Sequence, residues 1–222
     1  MDLMEAVKAR HSVRSYTDQR IEGEILTKLN QMTEECNRDS GLNIKLCINE
    51  PEAFTGIMAR YGKFRNVRNY IALIGSRDDT ALNEKCGYYG EKLVLAAQQL
   101  GLNTCWVGAS YSKGKCPVEL LPGHKLVLVI SFGYGETQGT SHNNKPIEKL
   151  YQCNGPAPSW FMKGVEAAQL APTAINQQKF HFKLDGNKVA ASTGWGIYAK
   201  TDLGIAKCHF EVGAGSEGWE WA

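Results

Sequence analysis

Two short stretches carry side chains whose types and spacing suit ligand chemistry. Residues 9–16 read Ala-Arg-His-Ser-Val-Arg-Ser-Tyr, which sets Arg10, His11, Ser12 and Arg14 within one extended step of each other. A guanidinium meets a phosphate through a fixed fork of donors, and a serine hydroxyl adds a short neutral donor, so this stretch suits an anion. Cations at the end of a helix also complement its dipole with no ligand present, and the sequence leaves both readings open. Residues 171–180 read Ala-Pro-Thr-Ala-Ile-Asn-Gln-Gln-Lys-Phe, where a helix is cut by Pro172 and Thr173, Asn176 and Gln178 precede an apolar strand. A side-chain amide offers a donor and an acceptor in one plane, matching the edge of a heterocycle. A polar cap and loop explains the same residues equally well.

Three further features bear on chemistry. The run from Leu102 ends in Trp106, Val107 and Gly108, where backbone N–H groups can face a flat ligand, although a tryptophan there serves a core just as well. Lys145, just before Pro146, adds one cation after a polar loop, with solvated surface as the alternative. A metal hydrolase would need His124, His142, His181 and His209, yet none pairs with another at i,i+3 or i,i+4, so no metal is expected. The seven cysteines form no C-x-x-C pair and read as free thiols of a reducing, cytoplasmic setting.

These side chains need elements to position them. The chain has 222 residues, 43% hydrophobic and 22% charged, which excludes a disordered or fibrous protein. A net charge of +2 without a basic run argues against nucleic acid. The longest apolar run, Leu126 to Phe132, is too short to span a membrane, and Asp2 and Glu5 argue against a signal peptide, so no membrane partner is expected. Apolar periodicity predicts helices over 2–9, from Ile25 to a stop at Gly41, and over 82–100 before Gly101, with a short helix over 51–59. Strands are predicted over 43–49, 69–75, 103–107 and 125–132, followed by a polar loop over 135–144. A helix over 160–170, strands over 180–184 and 188–192, and a helix over 203–212 complete an α+β pattern. The helix, loop and strand of 26–48 recur in kind at 161–184, which a duplication and chance both explain.

Taken together, several motifs carry a family likeness: Arg10, Ser12 and Arg14 as R-x-S-x-R, G-L-N-T-C-W-V-G at 101–108, S-F-G-Y-G at 131–135, the lysine before Pro146, and A-P-T-x-x-N-x-Q at 171–178. With these the chain resembles the nitroreductase superfamily of FMN-dependent flavoproteins. The resemblance implies a central, mostly antiparallel sheet flanked by helices. In the usual member the A-P-[ST]-x-x-N-x-Q element follows the second helix, whereas here residues 32–39 lack it. The arrangement is similar to the branch in which one chain imitates the family dimer. That implies two pseudo-repeated halves, 1–155 with the phosphate motif and 156–222 with the ring-edge element, and a flavin site complete within one chain.

Residue by residue, the resemblance implies that Arg10, His11 and Ser12 with Lys145 hold the FMN phosphate, and that Arg14 lies toward the pyrimidine edge. Pro172, Thr173, Asn176 and Gln178 would supply the ring-edge element, and Trp106, Val107 and Gly108 a backbone donor near N5. No catalytic side chain is implied, because the flavin carries the chemistry. Hydride would come from NADH or NADPH and pass by ping-pong turnover to a small-molecule acceptor such as a nitroaromatic or quinone. The alternative is an FMN-binding storage or sensor protein without turnover.

Overall fold

The computed structural model describes residues 1–222. Helix α1 (Leu3–Ala9) is started by a capping box, in which Asp2 accepts from the Glu5 N–H at 2.7 Å and Glu5 accepts from the Asp2 N–H at 2.8 Å. It ends at Arg10, whose extended backbone leads the chain away along Thr104, with Val13 N–H donating to the Thr104 carbonyl at 2.9 Å. Helix α2 (Gly23–Ser40) stops at Gly41, which takes φ 72°, as the sequence predicts. The helix expected over 51–59 is instead a 3-10 turn at Pro51–Phe54 and a short α3 (Ile57–Tyr61), separated around Gly56. Helix α4 (Leu82–Gln99) is followed by Gly101 at φ 80°.

The first sheet joins β1 (Lys45–Cys47), β2 (Asn69–Ser76), β3 (Asn103–Val107) and β4 (His124–Gly133) in the order β1-β2-β4-β3, antiparallel throughout. Residues 70–74 of β2 and 128–132 of β4 are almost wholly buried, which explains runs that are apolar throughout but for Ser131. A second four-stranded sheet has the order β5-β6-β7-β8, from β5 (Tyr151–Cys153), β6 (Phe180–Asp185), β7 (Lys188–Thr193) and β8 (Glu220–Trp221). Here β6 and β7 are an antiparallel hairpin, while the outer pairs are parallel. Strands β5 and β8, three and two residues long, are too short to leave an alternating pattern and were not predicted.

Helices α5 (Ser159–Gln169) and α6 (Ala199–Ala214) complete the fold. Helix α6 begins four residues before the predicted Leu203, because its first turn is buried against α4 rather than marked by large apolar residues. The meeting of α4 and α6 is unusually close. A Cβ on Gly87 would run into the Thr201 carbonyl, and a Cβ on Gly204 would run into the Glu84 carbonyl. The two helices therefore touch backbone to backbone, each through its own glycine. The apolar faces of α5 and α6 meet through Phe161 and Phe210, and Phe210 packs on Phe182 of β6. No helix is long and apolar enough to cross a membrane.

Candidate functional site

The C-terminal end of α1, the end of β3 and the segment after α5 come together at three adjoining cavities. The first, about 370 Å³, is lined by Arg10, His11, Ser12 and Arg14, by Thr140, Ser141 and His142, and by Pro172, Thr173, Ile175 and Asn176. No carboxylate lines it. The second, about 150 Å³, lies between Arg14, Trp106, Val107, Gly108, Thr173, Tyr198 and Asp202. The third, about 400 Å³, opens between Arg14, Trp106, Gly108 and the Tyr61–Phe64 turn. Arg14 lines all three, so they form one groove with a cationic end and an end floored by a strand terminus.

Arg10 is only 4% exposed, and burial lowers its pKa while Glu91 works against that shift. One terminal nitrogen donates to the Leu170 carbonyl at 3.3 Å. Its Nε lies 3.8 Å from Glu91 Oε1 and has no hydrogen-bond partner. Glu91, on α4 and fully buried, also accepts from Trp106 Nε1 at 2.7 Å and contacts His209 Nε2 at 2.8 Å. Burial pushes His11 and His142 below the usual imidazole value, with the Arg10 charge acting in the same direction, so both are neutral at neutral pH. The fixed positive charge at this end belongs to the two arginines.

The segment after α5 is held in an uncommon conformation. Ile175, Asn176 and Gln178 all take positive φ, at 48°, 55° and 43°. That region is costly for a β-branched residue, so the surroundings must enforce it. Asp202 accepts from the Ala174 N–H at 3.0 Å and from Gln177 Nε2 at 2.7 Å, and Gln178 N–H donates to Thr173 Oγ1 at 3.1 Å. Asn176 Nδ2 and Gln178 Nε2 both donate to the Asn143 carbonyl, at 2.9 and 2.8 Å. Burial raises Asp202 to about 6, although these hydrogen bonds oppose the shift.

The structure thus brings Arg10, His11, Ser12, Arg14, Pro172, Thr173 and Asn176 to the cationic end, and Trp106, Val107 and Gly108 to the other. Lys145 and Gln178 stand apart from the lining. Lys145 Nζ donates to the Gln178 carbonyl at 2.6 Å, and its N–H donates to Gln178 Oε1 at 2.9 Å. Gln178 is 2% exposed and turned inward, so these two residues anchor the loop. Sequence reasoning missed Thr140 and Ser141, and weighed His142 only as a metal ligand, because their loop had no pattern to show that it folds over the motif. It also missed Tyr198, whose hydroxyl donates to the Gly108 carbonyl at 2.8 Å and whose ring leaves no room for a Cβ at position 108. Glu91 did leave a signal: a charged residue between the closely spaced Gly87 and Gly90 and the apolar run 93–97 of α4.

Comparison with known proteins gives a consistent picture. The sequence model of a family described as "Putative TM nitroreductase" matches residues 2–214. No curated protein matches the chain. Among solved structures, a putative nitroreductase from Thermotoga maritima is similar at 22% identity and TM-score 0.67, over 96% of this chain and 83% of that one. A putative nitroreductase in complex with FMN from Desulfovibrio desulfuricans is similar at 20% identity and TM-score 0.53, over 71% of this chain and 99% of that one. A putative NADH dehydrogenase/NAD(P)H nitroreductase from Parabacteroides distasonis is similar at 21% identity and TM-score 0.52, over 68% and 96% of the two chains. At these identities the likeness is one of fold.

Proposed function

This chain belongs to that TM nitroreductase family, and on that premise we propose that it is an FMN-dependent oxidoreductase, taking hydride from NADH or NADPH and reducing a small acceptor such as a nitroaromatic or quinone. The observation that carries the reading is the cationic end of the groove, where two guanidiniums, four hydroxyls and no carboxylate line one cavity. The buried Arg10 Nε, without a hydrogen-bond partner, is the kind of donor a phosphate satisfies. The FMN-bound relative from Desulfovibrio desulfuricans supports the choice of cofactor.

Arg10, Arg14 and Ser12 would hold the phosphate and the adjoining ring edge, and Asn176 would close the groove from the other side. Arg14, at the junction of the cavities, supplies permanent positive charge toward a ring that becomes anionic on reduction. Gly108 makes room for the Tyr198 ring, which packs on the strand end and would help shape that end of the groove. Bound FMN would supply two-electron redox chemistry, and donor and acceptor would use its one open face in turn. Lys145 and Gln178 would act only by fixing the loop that carries Thr173 and Asn176.

The reading includes three further proposals. The site is complete within one chain, made of an N-terminal half (1–155) and a C-terminal half (156–222); lining residues drawn from 10–14 and 172–176 of one polypeptide support this. The reciprocal contact of Gly87 and Gly204 across α4 and α6 supports a pseudo-repeat, since each helix offers a glycine to the other's carbonyl three residues before that other glycine. The protein works in the cytoplasm, a reading its seven free cysteines support.

The test is to titrate the ligand-free protein with FMN, FAD and riboflavin, then follow NADH and NADPH consumption by the flavin-loaded protein in air. Preferential FMN binding with turnover is expected. Absence of flavin binding rejects the reading, and tight FMN binding without turnover leaves a storage or sensor protein.

A further inference from the structure

Behind the cationic end lies an acid that lines none of the three cavities, and the proposed function has no use for it. Glu91 is wholly buried on α4, where residues from three other elements meet it: Arg10 at the end of α1, Trp106 on β3 and His209 on α6. His209 is itself fully buried, with Nδ1 3.1 Å from the Ala167 carbonyl of α5. The carboxylate is the one acidic group paired with Arg10. A buried guanidinium without a counter-ion would strongly destabilise the fold.

In the free protein Glu91 supplies that counter-charge. A phosphate arriving at the cleft would be a second anion on the same guanidinium, and it would be repelled by the first across a poorly solvated gap. We propose that Glu91 is a positioning residue that sets specificity: a resident counter-ion that keeps Arg10 in place while the cleft is empty and tempers its hold on the ligand's phosphate. The inference rests on the reading of this end of the groove as the phosphate end.

Glu91→Gln isolates the charge. The amide oxygen can still accept from Trp106 Nε1, and the amide nitrogen can donate to His209 Nε2 while Nδ1 donates to Ala167, so every hydrogen bond of the cluster has a successor. FMN and riboflavin differ only in the phosphate, and the ratio of their affinities is the readout. A residue with a merely structural role would lower the thermal midpoint and leave this ratio alone. Glu91→Gln is expected to melt earlier without ligand and to raise the preference for FMN over riboflavin by about tenfold or more. Glu91→Asp, which keeps the charge, is expected to return the ratio toward wild type.

A ratio that is unchanged or lower in Glu91→Gln, with a wild type that prefers FMN, overturns this inference alone. A wild type that binds both flavins equally overturns the phosphate placement, and the inference with it. Should Glu91→Gln fail to fold without ligand, refolding restored by FMN but not by riboflavin is the expected result, and refolding restored by neither or by both alike overturns it.

Discussion

Arg10 and Arg14 stand four residues apart and answer to different forces. Arg10 is buried and paired, so Arg10→Ala would strand Glu91 and confuse ligand binding with stability. Arg14 is exposed at the junction of the cavities, its guanidinium 6.0 Å from the centre of the Phe64 ring, and its backbone contacts do not need the side chain. Arg14→Ala should therefore change unfolding stability by less than about 0.5 kcal/mol yet weaken FMN binding by about 1.5–3 kcal/mol; fluorescence titration beside urea unfolding checks both. Asp202 gives a prediction in pH. Burial lifts it from 3.8 to about 6, so between those values the folded protein keeps a proton that the unfolded chain has released. Its contribution to stability falls as pH rises through that window, by about 3 kcal/mol in total. Asp202→Asn should flatten the decline in urea midpoint between pH 4 and pH 7, and a slope like that of wild type would refute the assignment. At this scale the sequence showed which residue types gather at the cleft, because motif spacing is local. The division of labour between the two arginines was invisible, since it depends on Glu91, far along the chain.

Among the elements, the loop that follows α5 is the one held against its own preferences. Ile175 is 91% exposed at φ 48°, so its side chain gains nothing from burial to offset the strained backbone. Ile175→Asn, a residue that tolerates this region, should stabilise the protein by about 1 kcal/mol, or raise the melting midpoint by about 2–4 °C. Calorimetry checks the gain, and a lower midpoint would mean that the isoleucine is held by contacts rather than strained. Helix α6 makes the opposite case. Alanine normally favours a helix over glycine, but at position 204 its Cβ meets the Glu84 carbonyl, so Gly204→Ala should destabilise by about 1–3 kcal/mol. The helices and long strands were legible because a helical apolar period, as in α4, or an unbroken apolar run, as in β4, survives over many residues. The 51–61 region was misread because a 3-10 turn and a one-turn helix leave the same apolar spacing as a continuous helix. The outer strands β5 and β8 are set by the partners beside them, which no local pattern records.

For the molecule as a whole, the distances in sequence matter more than those in space. Residues 10–14 and 172–176 line one cavity, so flavin binding should not depend on protein concentration. In sedimentation followed at the flavin band, dilution should leave a flavin-bearing 24.5 kDa species; flavin lost in step with dissociation of an oligomer would show that neighbours exchange their C-terminal segments. The backbone contact between α4 and α6 carries a consequence for the order of synthesis. A ribosome finishes α4 more than a hundred residues before it reaches Gly204 and His209. At translation speeds of about 5–20 residues per second, the nascent chain waits on the order of ten seconds with the glycine face of α4 open and Glu91 lacking its histidine partner. During that interval α4 is open to chaperones, and only a chain that has reached α6 can close it.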